Sequence, residues 1–164
     1  MAYYSLIPSP IGWLGVVGHR GGIVTLLRGG KNRSDLERKI RRGYPLAVRK
    51  GETLFQKVRS FLDNYFMGKP VPPPRIDLSS QPPFLRKVLQ QVRQIPYGEV
   101  RTYSWIAWRV GCPKGARACG QTLHKNPLPL LIPCHRVILK SGKSGGFTWG
   151  TKIKRKLLEL ETTN

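Results

Sequence analysis

Cys134 and His135 stand side by side in the segment NPLPLLIPCHRV, which runs from Asn126 to Val137. A cysteine attacks carbon only as its thiolate, so it needs a base or a positive field to shed its proton. His135 is the neighbouring base, and Arg136 together with a strongly positive chain is expected to favour the thiolate. An imidazole used in this way is commonly oriented by a carboxylate. The chain has 8 acidic residues, and Glu159 and Glu161 are the nearest downstream candidates. The competing reading is a buried structural cysteine, since free cysteine is among the most buried residue types. Zinc chemistry is not expected: there is no C-x-x-C or H-x-x-x-H pair, and adjacent residues seldom ligate one metal together. A cysteine hydrolase would need a further His/Asn pair at hydrolase-like spacing and a glycine run for an oxyanion hole before Cys134, and the sequence shows neither.

The elements that must hold this pair can be read from hydrophobic period. Ala2–Ile7, Gly12–Gly18 and Ile23–Arg28 alternate as strands, separated by Pro8-Ser9-Pro10 and by His19 to Gly22, which are turn compositions. A small antiparallel sheet follows. Ser34 is placed to cap a short basic helix ending near Gly43. Glu52–Met67 is a clearer helix, with Leu54, Phe55, Val58, Phe61, Leu62, Tyr65 and Phe66 at three- and four-residue intervals. The stretch KPVPPPR at 69–75 cannot be helical and reads as a linker, which divides the chain into 1–75 and 76–164. Beyond it the chain is mostly helical. Phe84, Leu85, Val88, Leu89 and Val92 share one face of a helix over Pro82–Gln94. Thr102 is suited to cap a helix from Tyr103 to Val110. Gly111 breaks that helix, and Pro113 fits the first turn of the next, which is expected to run to His124. Two short helices joined in this way make a helix-turn-helix. A last helix, Thr151–Glu161, turns Ile153, Leu157 and Leu158 inward and Lys152, Lys154, Arg155 and Lys156 mostly outward.

Composition points to a polyanionic partner. There are 29 Lys and Arg against 8 Asp and Glu, a formal charge of +21. Residues 1–75 carry 14 basic and 4 acidic side chains and residues 76–164 carry 15 and 4, so the charge is spread through a folded chain rather than gathered in a tail. Three cysteines at 112, 119 and 134 are too few and too scattered for a disulfide framework. Cys112 and Cys119 read as small packing residues, and His19 as a turn residue. No signal-peptide pattern and no apolar run near the ~20 residues of a membrane span is present. A soluble protein of the cytoplasm, with reduced thiols, is expected.

Several motifs in one order then carry a resemblance. Ile95-Pro96-Tyr97-Gly98-Glu99-Val100, Thr102-Tyr103, Ala116-Arg117-Ala118, Asn126-Pro127 and Pro133-Cys134-His135-Arg136-Val137 follow one another from Pro96 to Glu161. This segment resembles the catalytic domain of the O6-alkylguanine-DNA alkyltransferases, also called methylated-DNA–protein-cysteine methyltransferases. The first 75 residues match that family only in general character. The resemblance implies an α+β protein: a small N-terminal antiparallel sheet with helices, RNase H-like, joined to a mostly helical, winged-helix-like C-terminal domain with a helix-turn-helix. It implies repair of alkylated guanine in one turnover, by transfer of the alkyl group to Cys134. His135 would deprotonate Cys134 through a water, Glu161 would orient His135, and Asn126 would brace the turn before the active-site strand. Tyr103 would push on a phosphate and hydrogen-bond the flipped guanine. Val137 would accept from the exocyclic amine, and Thr148 would lie near O6, with Phe147, Trp149 and Pro129 completing the substrate pocket. Arg117 would enter the base stack. Thr102, Lys114, Gly115, Ala116, Gly120, Lys125 and Arg136 would lie against the minor groove of double-stranded DNA, with little sequence specificity.

The resemblance further implies a monomer that needs no cofactor and associates with the nucleoid. Three departures stand out. Trp149 is bulky where the family is often small, which is expected to narrow the pocket. Phe147 lacks a tyrosine hydroxyl, and His124 replaces a longer side chain. No cysteine precedes Cys112, so the structural zinc of some relatives is not expected. The alternatives are a helix-turn-helix regulator or a lesion sensor without chemistry. Such sensors lack the cysteine at position 134, and this chain keeps it.

Overall fold

The computed structural model describes residues 1–30 and 32–163; Lys31 and Asn164 lie outside that description. The chain forms two compact units, Met1–Leu78 and Ser79–Asn164.

The first unit is built on a four-stranded sheet. β1 (Tyr3–Ile7), β2 (Leu14–His19) and β3 (Gly22–Arg28) pair antiparallel as the alternation predicts. A two-residue β4 (Val48–Arg49) adds parallel to β1, so the order is β3-β2-β1-β4 and the sheet is mixed at one edge. α1 (Arg33–Gly43) lays Leu36 and Ile40 against the sheet, in a cluster with Tyr4, Leu6, Val17 and Ala47. Each such side chain contributes about 1.5–3 kcal/mol by leaving water. The helix is capped by Asn32, not Ser34: the Asn32 side chain accepts from the Ser34 amide at 2.8 Å. The next helix also starts differently from its pattern. Glu52–Phe55 winds as a 3₁₀ turn before α2 (Gln56–Phe66). Three residues per turn rather than 3.6 rotate Leu54 off the inner stripe, and it is 46% exposed.

The proline-rich stretch does not hang free to its end. Ile76 bridges to Ile23, through Ile23 N–H to the Arg75 carbonyl at 2.9 Å and Asp77 N–H to the Ile23 carbonyl at 2.8 Å. His19 completes the join. Its Nδ1 accepts from Gly21 N–H at 2.8 Å, and its Nε2 lies 3.0 Å from Asp77. These pairings carry the first unit to Leu78, beyond the boundary at residue 75 read from composition.

The second unit is helical around one short strand pair. α3 (Pro83–Val92) buries Leu85, Val88, Leu89 and Val92 and packs on α4 (Tyr103–Arg109) and α5 (Ala116–Leu123). Thr102 caps α4, accepting from Trp105 N–H at 3.1 Å. Gly111, at φ +80°, ends α4 in the left-handed conformation that a residue with a Cβ resists. α5 starts later than expected. Pro113 lies in a turn closed by Gly115 N–H to the Cys112 carbonyl at 2.7 Å, and Gly115 is the N-cap. That turn leaves Cys112 exposed, whereas Cys119 packs inside. β5 (Arg101–Thr102) and β6 (Val137–Ile138) pair in parallel, and α6 (Thr151–Thr162) closes the unit.

The closeness of α1 to β2 is testable at Gly15. A Cβ there would lie 2.7 Å from Ile40 Cδ1, whereas one at Gly43 meets nothing within 4 Å. Gly15→Ala is expected to lower stability by about 1–3 kcal/mol through overpacking. Gly43→Ala is expected to be neutral or to gain up to ~1 kcal/mol. Equal urea midpoints for both variants would show that the helix does not seat against β2 as described.

Candidate active site

Cys134 opens a 3₁₀ turn, Cys134–Arg136, directly before β6. The run before it is held by its own geometry. Leu130 adopts φ +72°, a left-handed conformation that costs a non-glycine residue about 1–2 kcal/mol, and its side chain is buried, as are Leu128, Leu131 and Ile132. Asn126 then ties the end of α5 to Cys134. Its Oδ1 accepts from Leu128 N–H at 2.9 Å, and its Nδ2 donates to the Ile132 carbonyl and to Cys134 Sγ, both at 3.1 Å. The brace expected of Asn126 is present, and the bond to sulfur is an addition no spacing in the sequence reveals.

Behind the cysteine lies a buried charge knot. His135 Nε2 lies 2.6 Å from Glu161 Oε1. Arg136 Nε is 3.1 and 2.9 Å from the two Glu161 oxygens, and its Nη2 is 2.9 Å from Oε1. Arg136 Nη1 donates to the Ile95 carbonyl at 2.8 Å. Glu161 Oε2 also accepts from Gly98 N–H at 3.1 Å, where Gly98 sits at φ +79°. Of the two downstream acids, Glu161 is therefore the partner. Arg136, expected against DNA, is turned inward instead, because its guanidinium satisfies the carboxylate, a helix-end carbonyl and the face of Tyr97.

The protonation states follow from burial and these bonds. Burial would raise the Glu161 carboxyl, but hydrogen bonds and charge from His135 and Arg136 hold it down to about 2. Burial lowers His135, against the pull of Glu161, so the ring is neutral. With Nε2–H assigned to the carboxylate, Nδ1 is the basic nitrogen. Burial pushes the Cys134 thiol up, opposed by the Asn126 bond and by the charge of Lys154. The resting sulfur is thus a thiol, not the thiolate that net charge suggested, and its proton must leave during reaction. Adjacent residues of a 3₁₀ turn point about 120° apart, so transfer to Nδ1 needs a bridging water.

Cys134 lines a narrow depression of about 10 Å³, room for about one water, together with Tyr103, Gly120, Leu123, His124, Gly146, Phe147 and Thr148. A wider groove shares Tyr103, Gly120, His124 and Gly146 with it and reaches Ala116 and Arg117 on α5. Tyr103, Thr148, Phe147 and Gly120 therefore line the depression with Cys134, whereas Ala116 and Arg117 lie along the adjoining groove. Burial and the neighbouring Cys134 charge raise the Tyr103 phenol. Pro129 and Trp149 are not among the lining residues. Trp149 packs edge-on against Phe147 at 6.0 Å, so the bulk that narrows the pocket is Phe147 and His124. Lys114 and Lys125 are exposed, and Gly115 lies at the start of α5. Among the described residues no three His, Cys, Asp or Glu side chains converge as a metal site requires.

The sequence reading missed Lys154. It is fully buried on α6, and its Nζ donates to the Val137 carbonyl at 2.6 Å and the Gly146 carbonyl at 3.0 Å. A signal existed: Lys154, Leu157 and Glu161 recur at three and four residues, on one helix face.

A buried thiol next to a buried imidazole–carboxylate pair, in a unit that carries the α4–α5 helix pair, is the arrangement to be placed among known proteins. The sequence comparisons place it. Residues 2–78 match the profile of the 6-O-methylguanine DNA methyltransferase ribonuclease-like domain, and residues 83–163 match that of the DNA binding domain. The chain belongs to the 6-O-methylguanine DNA methyltransferase family. It is 36% identical over 165 residues to a methylated-DNA–protein-cysteine methyltransferase of Methanosarcina barkeri, covering 99% of this chain and 98% of the relative. A Haemophilus influenzae protein of the same name is 34% identical over 161 residues, covering 97% and 86%. The fold matches the Mycobacterium tuberculosis O6-methylguanine methyltransferase, with TM-score 0.85, 35% identity and coverage of 99% and 94%. It also matches the crystal structure of Mycobacterium tuberculosis OGT in complex with DNA, with TM-score 0.84, 34% identity and coverage of 98% and 93%.

The charge knot predicts an acid limit. Glu161 is held at about 2 against an ordinary 4.5, so its contribution is complete above pH 4.5 and is lost as pH falls towards 2. Glu161→Gln leaves the Arg136 charge buried without its anion and is expected to cost about 3–5 kcal/mol at neutral pH. It should also flatten the stability loss between pH 4.5 and 2. Urea unfolding across that range checks both, and an unchanged acid slope would show that the knot does not form.

Proposed function

We propose that this protein repairs O6-alkylguanine in double-stranded DNA, mainly O6-methylguanine, by moving the alkyl group irreversibly to its own Cys134. The observation that carries the reading is Cys134 lining a narrow depression beside Tyr103 and Thr148, its Sγ bonded to Asn126 and the next residue an imidazole fixed by Glu161.

The O6-alkyl carbon is out of reach inside a duplex, so the nucleotide must leave the stack at a cost of a few kcal/mol. α5 suits the approach. Gly115, Ala116, Ala118 and Gly120 keep its outer face low, and a minor groove is too narrow for bulkier side chains. Arg117, exposed at the start of α5, fills the gap in the stack, and Tyr103 presses on the phosphate beside the extruded base. Thr102, Lys114 and Lys125 contact the backbone. The protein docks as a monomer, reads little sequence, and binds more weakly as salt rises. On this reading it works in the cytoplasm, on nucleoid DNA.

His135 Nδ1 takes the Cys134 proton through water, and Glu161 steadies the imidazolium. The thiolate attacks the alkyl carbon in line with the C–O6 bond. The C–S bond forms, the C–O6 bond breaks, and its electron pair returns to the purine. Tyr103 and Thr148 supply hydrogen bonds, and a proton restores guanine. The thioether formed is inert to water and to the neighbouring imidazoles, so each molecule acts once.

Two measurements test this. Intact mass after incubation with O6-methylguanine duplex should rise by about 14 Da, the mass of one methylene, with one equivalent repaired and no gain in Cys134→Ser; more than one turnover would overturn the mechanism. Arg117→Ala is expected to slow single-turnover repair of duplex by ~10-fold or more, through impaired extrusion. An unchanged rate would remove Arg117 from the stack.

A further inference from the structure

Lys154 is an ammonium stored inside the protein with no carboxylate against it. It is 0% exposed, and among the described residues none of its hydrogen bonds or ion pairs is to an acidic side chain. Its three donors meet two carbonyl oxygens, Val137 at 2.6 Å and Gly146 at 3.0 Å, and its charge lies 5.7 Å from the centre of the Tyr103 ring. Buried cations are retained at such a cost only where something offsets them.

The two carbonyls locate that role. Val137 N–H is bonded to the Cys134 carbonyl, so the Val137 peptide connects the nucleophile's backbone to Lys154. Gly146 lines the depression over Sγ, and the Tyr103 hydroxyl, also in that lining, donates to the same carbonyl at 3.5 Å. One side chain on α6 therefore fixes β6, the 144–150 loop and the face of Tyr103 together, beside the reacting sulfur.

We propose that Lys154 is a positioning residue and the resident counter-charge of the Cys134 thiolate. Loss of the thiol proton then pairs a buried cation instead of creating an isolated buried anion. The inference rests on Cys134 being the alkyl acceptor. The other titratable or charged groups around the pair are Tyr103 from α4, His124 from α5, His135 and Arg136 from the 3₁₀ turn, and Glu161 from α6. Of these, Glu161 is already neutralised by His135 and Arg136. Burial lowers Lys154 to about 8, and a charge on Cys134 acts in the opposite sense, as a paired ammonium requires.

The test uses the full chain with Lys154→Met, which keeps length and loses charge, and Lys154→Arg, which keeps charge. Three readouts are needed: affinity for O6-methylguanine duplex, the single-turnover rate at saturating duplex, and the pH profile of Cys134 alkylation by iodoacetamide without DNA. Lys154→Met should bind duplex within ~2-fold of the parent, transfer ~100-fold more slowly, and shift the thiol profile up by about one pH unit or more. Lys154→Arg should keep the parent profile and recover at least ~10-fold of the rate. An unmoved iodoacetamide profile in folded Lys154→Met overturns the proposal. If Lys154→Met does not fold, a profile in Lys154→Arg displaced upward although charge is retained overturns it equally. Failure of the repair reading would look different: the parent protein itself would gain no mass from the duplex.

Discussion

The second unit depends on one buried carboxylate. Glu161 reaches from the last turn of α6 to His135, to Arg136 and to the amide of Gly98, and so joins three segments far apart in sequence. Its negative charge is tolerated inside because two cationic or polarisable partners and one amide meet it. None of those partners is stable in its place without it: Arg136 would be an unpaired guanidinium, and His135 would lose the bond that selects its tautomer. One interaction therefore orients the imidazole beside Cys134 and holds the unit together, which explains why a basic protein with 8 acidic residues buries one of them here.

Around that knot the site divides its labour between rigid and open parts. The run from Asn126 to Pro133 is stiffened by prolines, by a left-handed Leu130 and by the three bonds of Asn126, so Sγ has little freedom. The rest of the lining mixes short groups, Gly120 and Gly146, with the rings of Tyr103, His124 and Phe147, which narrow it. A fixed nucleophile is what a single displacement requires, since alignment with the breaking bond cannot be adjusted after the base arrives.

Much of this could be read from the sequence where function and spacing coincide. Cys134, His135 and Asn126 lie within one short segment, and the first three strands alternate plainly. Other features depend on tertiary contacts that local pattern does not encode. Arg136 reads as a surface cation until Glu161 and the Ile95 carbonyl are in place. Lys154 sits in a run of basic residues and is hidden by its neighbours' polarity, although its spacing to Leu157 and Glu161 marks the inner face. Asn32 and Ser34 are both good caps two residues apart, and only the backbone decides between them. The start of α5 moved from Pro113 to Ala116 because Gly115 closes a turn first.

The amide of Asn126 has a consequence once the chemistry is complete. A sulfur carrying a carbon substituent is a poorer acceptor than a thiol or thiolate and takes up more room. The bond that joins the end of α5 to Cys134 therefore weakens once the sulfur carries an alkyl group. The buried amide is then left short of a partner, a deficit worth about 1–3 kcal/mol for an ordinary polar group. A used molecule is in this sense chemically labelled from within: it differs from a fresh one in cohesion as well as in mass.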